Sequence, residues 1–232
     1  MPLLHAASAL RRRLLLRTRA RRLLHRAREE RLGARVIEEA LTDLRYGGWC
    51  GGRMANPFAA QGAVQVQSTH YETLARVFRE GAIEVGDGDV LVDVGCGKGR
   101  VLNWWLSRGW RVPMVGLELV EEVAARTRAR LRRFPNVRVV SGDAVENLPD
   151  EGTLFYLYNP FGAERAAAFA ARVAERALHP ARVRVLYLNP RHLPVFTDDP
   201  RWRCRMLDTG LSEPAALLTL AGGGEGATPW PR

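Results

Sequence analysis

The sequence predicts an α/β protein whose mostly parallel sheet is wound on both faces by helices and preceded by a helical extension. Two observations carry this. From residue 90 onward, short apolar runs alternate with stripes of helical period, the pattern of a parallel sheet whose crossovers are helices. The first of these runs, Val90 to Val94, leads straight into three alternating glycines and a further helical stretch.

The bulk properties set the frame. A chain of 232 residues is long enough for one α/β domain with a sizeable core plus an extension. Its three cysteines, Cys50, Cys96 and Cys204, lie far apart and show no metal-ligand spacing. A disulfide framework or zinc site is not expected, and a reducing, cytoplasmic setting fits. The net charge of +10 is not spread evenly. Residues 1–28 hold nine arginines and no acid, which leaves 26 basic residues against 25 acids in the rest. The body is nearly neutral, so its net charge does not argue for a nucleic-acid enzyme. Lys98 is the only lysine of the chain, and it sits inside the glycine loop.

Four segments are expected: an arm (1–32), a helix with a Gly-rich loop (33–68), a main domain (69–221) and a disordered tail (222–232). In the arm, Leu16, Ala20, Leu23, Leu24 and Ala27 share one helical face, with the arginines largely off it. It reads as a basic amphipathic helix, suited to an anionic membrane surface or RNA, or resembling a transit peptide. The alternative is an extra helix packed on the body, or a poorly ordered segment. No apolar run reaches the length of a membrane span. Val36, Ile37, Ala40, Leu41 and Leu44 form the stripe of a second helix, and Tyr46 to Gly62 reads as a loop.

Within the main domain, Thr69-His70-Tyr71-Glu72 has the spacing of a capping box opening a helix that runs to about Glu80. Strands are expected at Val90 to Val94, Met114 to Leu117, Val137 to Val140, Thr153 to Tyr158 and Val183 to Leu188. Helices are expected at 99–108, along Val120 to Leu131, and from Ala163 to Leu178. Residues 202–207 and 215–220 read as a closing hairpin.

The chemistry-bearing segment is Asp93-Val94-Gly95-Cys96-Gly97-Lys98-Gly99. Glycines permit the tight turn and let the backbone approach a ligand. The spacing is GxGxG rather than the GxGxxG of dinucleotide enzymes. An acid two residues before the first glycine repels a pyrophosphate but suits a cation such as an ammonium or sulfonium group. The next strand ends at Glu118, 19 residues after Gly99, close to the offset of a ribose-binding acid.

These residues resemble the class I S-adenosylmethionine-dependent methyltransferases over about residues 69–220. The resemblance implies a Rossmann-like, doubly wound sheet of seven strands in the order 3-2-1-4-5-7-6. It implies that Asp93, Gly95, Cys96, Gly97, Lys98 and Gly99 form the first cofactor motif and that Glu118, with Leu119 beside it, takes the ribose. Ser141-Gly142-Asp143-Ala144 resembles the adenine motif, with Asp143 on the amino group and the Ala144 N–H on a ring nitrogen. Thr69 and Tyr71 stand where some members close over the methionine end. The cofactor implied is S-adenosylmethionine, leaving S-adenosylhomocysteine as product, with no metal.

The acceptor should meet the carboxyl end of the fourth strand, at Asn159-Pro160-Phe161. An asparagine carbonyl can orient an amino group, and Phe161 can stack on a planar acceptor. The motif is similar to the (Asp/Asn)-Pro-Pro-aromatic motif of amino-directed nucleic-acid methyltransferases but lacks the second proline. It is also similar to an Asn-containing segment of non-SET histone-lysine methyltransferases. Asn56-Pro57 and Asn189-Pro190 show the same dipeptide used as punctuation, so a strand-ending role stands beside the catalytic one. His192 and Phe196 are candidates to border the acceptor pocket, or form a helix that only packs. Cys96 reads as a small filler rather than a nucleophile. His70 and His192 have no partners at metal-ligand spacing. The leading expectation is amino-directed methyl transfer to a protein or nucleic acid. Methylation of a small molecule or lipid with the arm as a peripheral membrane tether, and cofactor binding without catalysis, are the alternatives.

Overall fold

A computed structural model describes residues 34–51 and 68–221. The expectations placed on the arm, on Gly52 to Gly62 of the loop and on the tail lie outside the described residues. The chain divides into two compact units, one ending at Gly51 and one beginning at Gly52.

In the first unit, helix α1 (Ala34–Arg45) buries Ala40 and Leu44 of the expected stripe but leaves Leu41 exposed, and it buries the acids Glu39 and Asp43 instead. It ends in a turn in which the Tyr46 N–H donates to the Asp43 carbonyl and Gly47 takes φ +103°. The Asp43 carboxylate then accepts the Cys50 N–H at 2.9 Å, tying the outgoing chain to the last helical turn.

The second unit opens with α2 (Tyr71–Glu80), whose Leu74, Val77 and Phe78 are buried as expected. The expected capping box does not form. His70 is the N-cap and makes no side-chain capping bond, while Thr69 lies one residue too early. The Thr69 hydroxyl instead pairs with the Tyr156 hydroxyl at 3.1 Å, in a buried contact. A buried hydroxyl gains more from that partner than from capping a solvated helix end.

The sheet contains β1 (Leu91–Val94), β2 (Met114–Glu118), β3 (Val137–Ser141), β4 (Leu154–Tyr158), β5 (Arg184–Leu188), β6 (Trp202–Leu207) and β7 (Ala215–Leu220). Their order is β3-β2-β1-β4-β5-β7-β6, as the resemblance implied. The first five pair in parallel, and β7 runs antiparallel to both β5 and β6. Every residue of β1 and β2 is buried, which is why these strands read as unbroken apolar runs: helices cover both faces. The crossovers are α3 (Arg100–Ser107), α4 (Glu121–Leu131) and α5 (Ala163–Arg176), followed by the short α6 (Pro194–Thr197). No helix among the described residues is long and apolar enough to cross a membrane.

On the α5 face the core is aromatic. Phe196 lies fully buried, 5.1 Å from Trp202 and 5.9 Å from Tyr187, ring centre to ring centre. It therefore packs rather than bordering an open acceptor pocket, because α6 turns its one large aromatic ring into the sheet.

The amino ends of β1, β4 and β5 are joined by one charge network. Buried Asp89 accepts from Arg184 at 2.6 Å, Thr153 at 2.8 Å and the Gly86 N–H at 2.9 Å. Burial pushes its carboxyl up, but these hydrogen bonds and the Arg184 charge outweigh it and hold the carboxyl below its ordinary range. Asp89→Ala is expected to destabilise the fold by about 2–3 kcal/mol, less than for a fully buried pair because Arg184 is partly solvated. The wild-type contribution is present above the unfolded carboxyl pKa and is lost as pH falls through the lower folded value. Urea unfolding of both proteins at pH 7 and in acid checks this: the difference between them should shrink in acid.

Candidate active site

The site is built on the carboxyl ends of β1, β2 and β4. Between β1 and α3, Gly95, Gly97 and Gly99 take φ +79°, +50° and +73°, the left-handed region that other residues enter at a cost. Space demands glycine as well. A Cβ at Gly99 would stand 2.8 Å from Thr127 Cγ2, and one at Gly95 3.2 Å from Pro160 Cβ.

The loop is held from three sides. The N–H groups of Gly95 and Cys96 both donate to the Leu117 carbonyl, at 2.9 and 2.8 Å. The Thr127 hydroxyl donates to the Gly97 carbonyl at 2.9 Å. Arg130 donates to the Lys98 carbonyl at 2.6 Å and to Asn103 Oδ1 at 2.8 Å. Thr127 and Arg130 lie three apart on one face of α4 and clamp the loop together. Sequence reasoning missed this pair. A polar residue within a buried stripe, followed three positions later by an arginine, was the available signal.

Glu118 ends β2 and is buried. One carboxylate oxygen accepts the Gly97 N–H at 2.8 Å and the other the Val120 N–H at 2.9 Å. Burial raises its carboxyl pKa, and those backbone donors pull it part of the way back. Asp93, on the neighbouring strand, has no such support. It is 3% exposed, and its Oδ2 is buried with no hydrogen-bond partner among the described residues. Burial and the nearby Glu118 charge push its carboxyl well above the usual range. A buried acceptor left unpaired is costly. Here it marks a place where a cationic donor fits.

Cys96 points inward, its Sγ 2.8 Å from where a Gly116 Cβ would stand. Burial, then Asp93 and Glu118, push its thiol well up, so it fills space and is a poor nucleophile. Lys98 is half-buried, and Gly95 is exposed.

Beyond β3, Gly142 takes φ +122° and donates its N–H to the Glu118 carbonyl at 3.0 Å. This brings Asp143 and Ala144 next to the end of β2. Asp143 Oδ1 accepts from the N–H groups of Val145 and Glu146 at 2.9 and 3.2 Å, and Arg165 pairs with its Oδ2 at 3.2 Å. Leu119 is 40% exposed, an apolar side chain standing in the open directly after Glu118. On the opposite side, Arg100 lies 5.4 Å above the Tyr71 ring, and Tyr156 is the register partner of Asp93 on β4. Thr69, through Tyr156, thus touches the strand pair that carries Asp93.

The acceptor side shows one device twice. β4 and β5 each end in an asparagine with positive φ followed by proline, Asn159 at +44° and Asn189 at +50°. Asparagine tolerates this region better than most residues. The two differ in burial. Asn189 is half-buried, whereas Asn159 is 2% exposed and its Oδ1 accepts the Tyr187 hydroxyl at 3.4 Å. The Tyr187 oxygen in turn accepts the His192 backbone N–H, and burial raises the phenol's pKa. Phe161 is half-buried, with its ring centre 5.7 Å from that of Phe169, so it is anchored in the core cluster. Tyr158 donates to Glu213 at 3.4 Å on the cleft wall, a pair sequence reasoning did not single out.

The sheet order and the glycine loop define the class I methyltransferase fold. Residues 91–180 match the family model described as a methyltransferase domain. No curated protein matches the chain in sequence. Among solved structures, fibrillarin from Aeropyrum pernix, in complex with natively bound S-adenosylmethionine, is similar at a TM-score of 0.51 and 18% identity. The match covers 65% of this chain and 76% of fibrillarin. A TehB-like S-adenosylmethionine-dependent methyltransferase from Corynebacterium glutamicum gives 0.50 and 18%, over 71% of this chain and 92% of that one. The mitomycin 7-O-methyltransferase MmcR gives 0.50 and 17%, over 64% and 54%. This chain spans only about half the length of MmcR.

Gly99→Ala meets both the conformational and the steric barrier. It should lower stability by about 2–4 kcal/mol, the left-handed penalty plus overpacking against Thr127. Thermal unfolding measures this, and Gly109→Ala (φ +79°, with open space around it) isolates the conformational part.

Proposed function

We propose that the chain is an S-adenosylmethionine-dependent methyltransferase acting on an amino nitrogen of a protein or nucleic acid. One observation carries the cofactor assignment. The orphaned, buried Asp93 oxygen beside Glu118 lies at the foot of the glycine loop, whose Gly95 is exposed. Asp93 suits the cofactor's ammonium, the backbone of Gly95 to Gly99 its methionine end, and Glu118 its ribose, each carboxylate oxygen keeping spare acceptor capacity. Asp143, Ala144 and Leu119 suit the adenine, and Thr69 and Tyr71 flank the methionine end. When bound, the cofactor supplies an electrophilic methyl group on a sulfonium. The protein's part is alignment and exclusion of water. Asn159 can hold an amino N–H with the capacity Tyr187 leaves unused, and Pro160 and Phe161 fix its place. The methyltransferase descriptions of the family model and of similar structures support methyl transfer, and the cofactor bound to fibrillarin supports S-adenosylmethionine.

A second reading, methylation of a small molecule or lipid, is favoured by the near-neutral body. MmcR, described as an O-methyltransferase, belongs to this side. A cytoplasmic location, peripheral at a membrane under the second reading, completes the proposal.

Titration calorimetry tests the cofactor. Asp93→Asn and Glu118→Ala should each weaken S-adenosylmethionine binding by about 10- to 100-fold, the loss of a charge-assisted hydrogen bond. Unchanged affinity in both would refute the assignment. Without cofactor, Asp93→Asn should raise stability at neutral pH, because it removes a carboxyl that folding must either bury charged or protonate. The sign follows from the raised pKa: a carboxyl whose folded value exceeds its unfolded value costs stability once pH passes the unfolded one. Incubating the protein with labelled cofactor and fractionated lysate tests the acceptor. Label in protein or nucleic acid that Asn159→Ala abolishes supports the first reading. Label in lipids or small molecules supports the second.

A further inference from the structure

The near-neutral charge of the body conceals a strong segregation. Residues 123–142 contain six arginines and no acid, so the rest of residues 29–232 holds 20 basic residues against 25 acids. The fold places this segment along one border of the sheet, because it spans most of α4 and all of β3, and β3 is an edge strand. Arg130 is committed to the glycine loop. Arg126, Arg128, Arg132, Arg133 and Arg138 are exposed.

Between α4 and β3 runs an open groove of about 500 Å³, lined among others by Leu131, Val137, Val139, Arg128, Arg132 and Arg138. Its floor is apolar, with Leu131 and Val139 buried, and its rim is basic. The acids that reach the rim do so weakly. Glu121 lies 3.6 Å from Arg128 and Glu151 3.9 Å from Arg138, both exposed pairs worth little in water. Arg132 has no acidic partner among the described residues.

We infer that this groove binds single-stranded nucleic acid, with phosphates on the arginine rim and sugar and base surface on the apolar floor. Two observations favour that occupant over an acidic peptide or a membrane. Arg128 donates through Nε to the Val139 carbonyl at 2.9 Å, blocking the free edge of β3 against pairing with an added peptide strand. Past the end of α4, next in sequence to the groove's Arg132, Arg133 lies 4.9 Å above the Phe134 ring, an arginine–aromatic pair of the kind on which unpaired bases stack. A flat lipid surface would use neither a groove nor that pair. The binding surface stands without the cofactor reading; only its use to present an acceptor base rests on that reading.

The test is fluorescence anisotropy of a labelled 12-residue single-stranded RNA, without cofactor. It compares the full-length protein with the Arg132→Glu/Arg138→Glu variant over a range of salt concentrations. The variant should bind about tenfold or more weakly, and the slope of log K against log salt should fall by about 1–2, since each neutralised phosphate on a single strand contributes roughly 0.7. Calorimetry of S-adenosylmethionine with the same variant should be unchanged, which shows that it folds and separates this inference from the cofactor assignment. Wild-type RNA affinity and slope in the variant would overturn the inference, with the arginine-rich arm then responsible for any binding. So would a variant that keeps RNA binding and loses only its affinity for anionic vesicles.

Discussion

Two carboxylates buried on neighbouring strands set the terms for the site. Asp93 on β1 pairs in register with Gly116 on β2, which places Glu118 two residues beyond it at the strand's end. Like charges this close cannot both be left bare in a dry interior. The fold treats them unequally. Glu118 has one backbone donor on each oxygen, from the glycine loop and from the start of α4. Asp93 receives no comparable support on Oδ2. In the loop's left-handed winding the Gly97 N–H meets Glu118 while Gly95 and Cys96 stay bound to Leu117. The clamp from Thr127 and Arg130 holds the winding in place. What remains is one unsatisfied anionic acceptor in a preorganised cradle.

The sheet keeps its costly and its stabilising charges at opposite ends. At the amino ends of β1, β4 and β5, Asp89 is fully partnered and its carboxyl is held low. At the carboxyl ends, Asp93 is unpartnered and its carboxyl is held high. Both are buried acids on or beside the same strand, and they differ in the donors and charges around them. Such a division lets a protein carry strain for binding at one border and recover stability at the other.

Elements defined by periodicity were legible in the sequence, and those defined by three-dimensional meeting were not. The unbroken run through β1, the GxGxG turn and the acid at the end of β2 announced the glycine loop and its place in the sheet, because both faces of those strands are buried. The capping box at Thr69 was misread because local spacing says nothing of Tyr156, 87 residues away. Thr127 was not singled out, since its bond to Gly97 exists only once α4 has packed. Asn159 stayed ambiguous for a physical reason. The asparagine-proline pair does end the strand, in a left-handed turn, at β4 and β5 alike, so the punctuation reading describes the backbone of both. Burial and the Tyr187 contact distinguish Asn159, and neither is written in the dipeptide.

Net charge hid the remaining feature. A body that sums to nearly zero is an acidic remainder plus a basic border, and only the sheet order shows that the border is continuous in space. Charge divided in this way acts on an approaching polyanion through the local field rather than the total, drawing it to α4 and β3 and away from the rest of the body. Asp143 and Ala144, proposed for the adenine, follow closely on β3, and Ser141 ends that strand and lines the groove. A strand lying along the basic border would therefore run toward the carboxyl ends of the sheet, where Asp93 and Asn159 lie. The arginine-lined edge and the unsatisfied carboxylate thus belong to one arrangement, in which the parallel sheet aims its strand ends and its charged border at the same cleft.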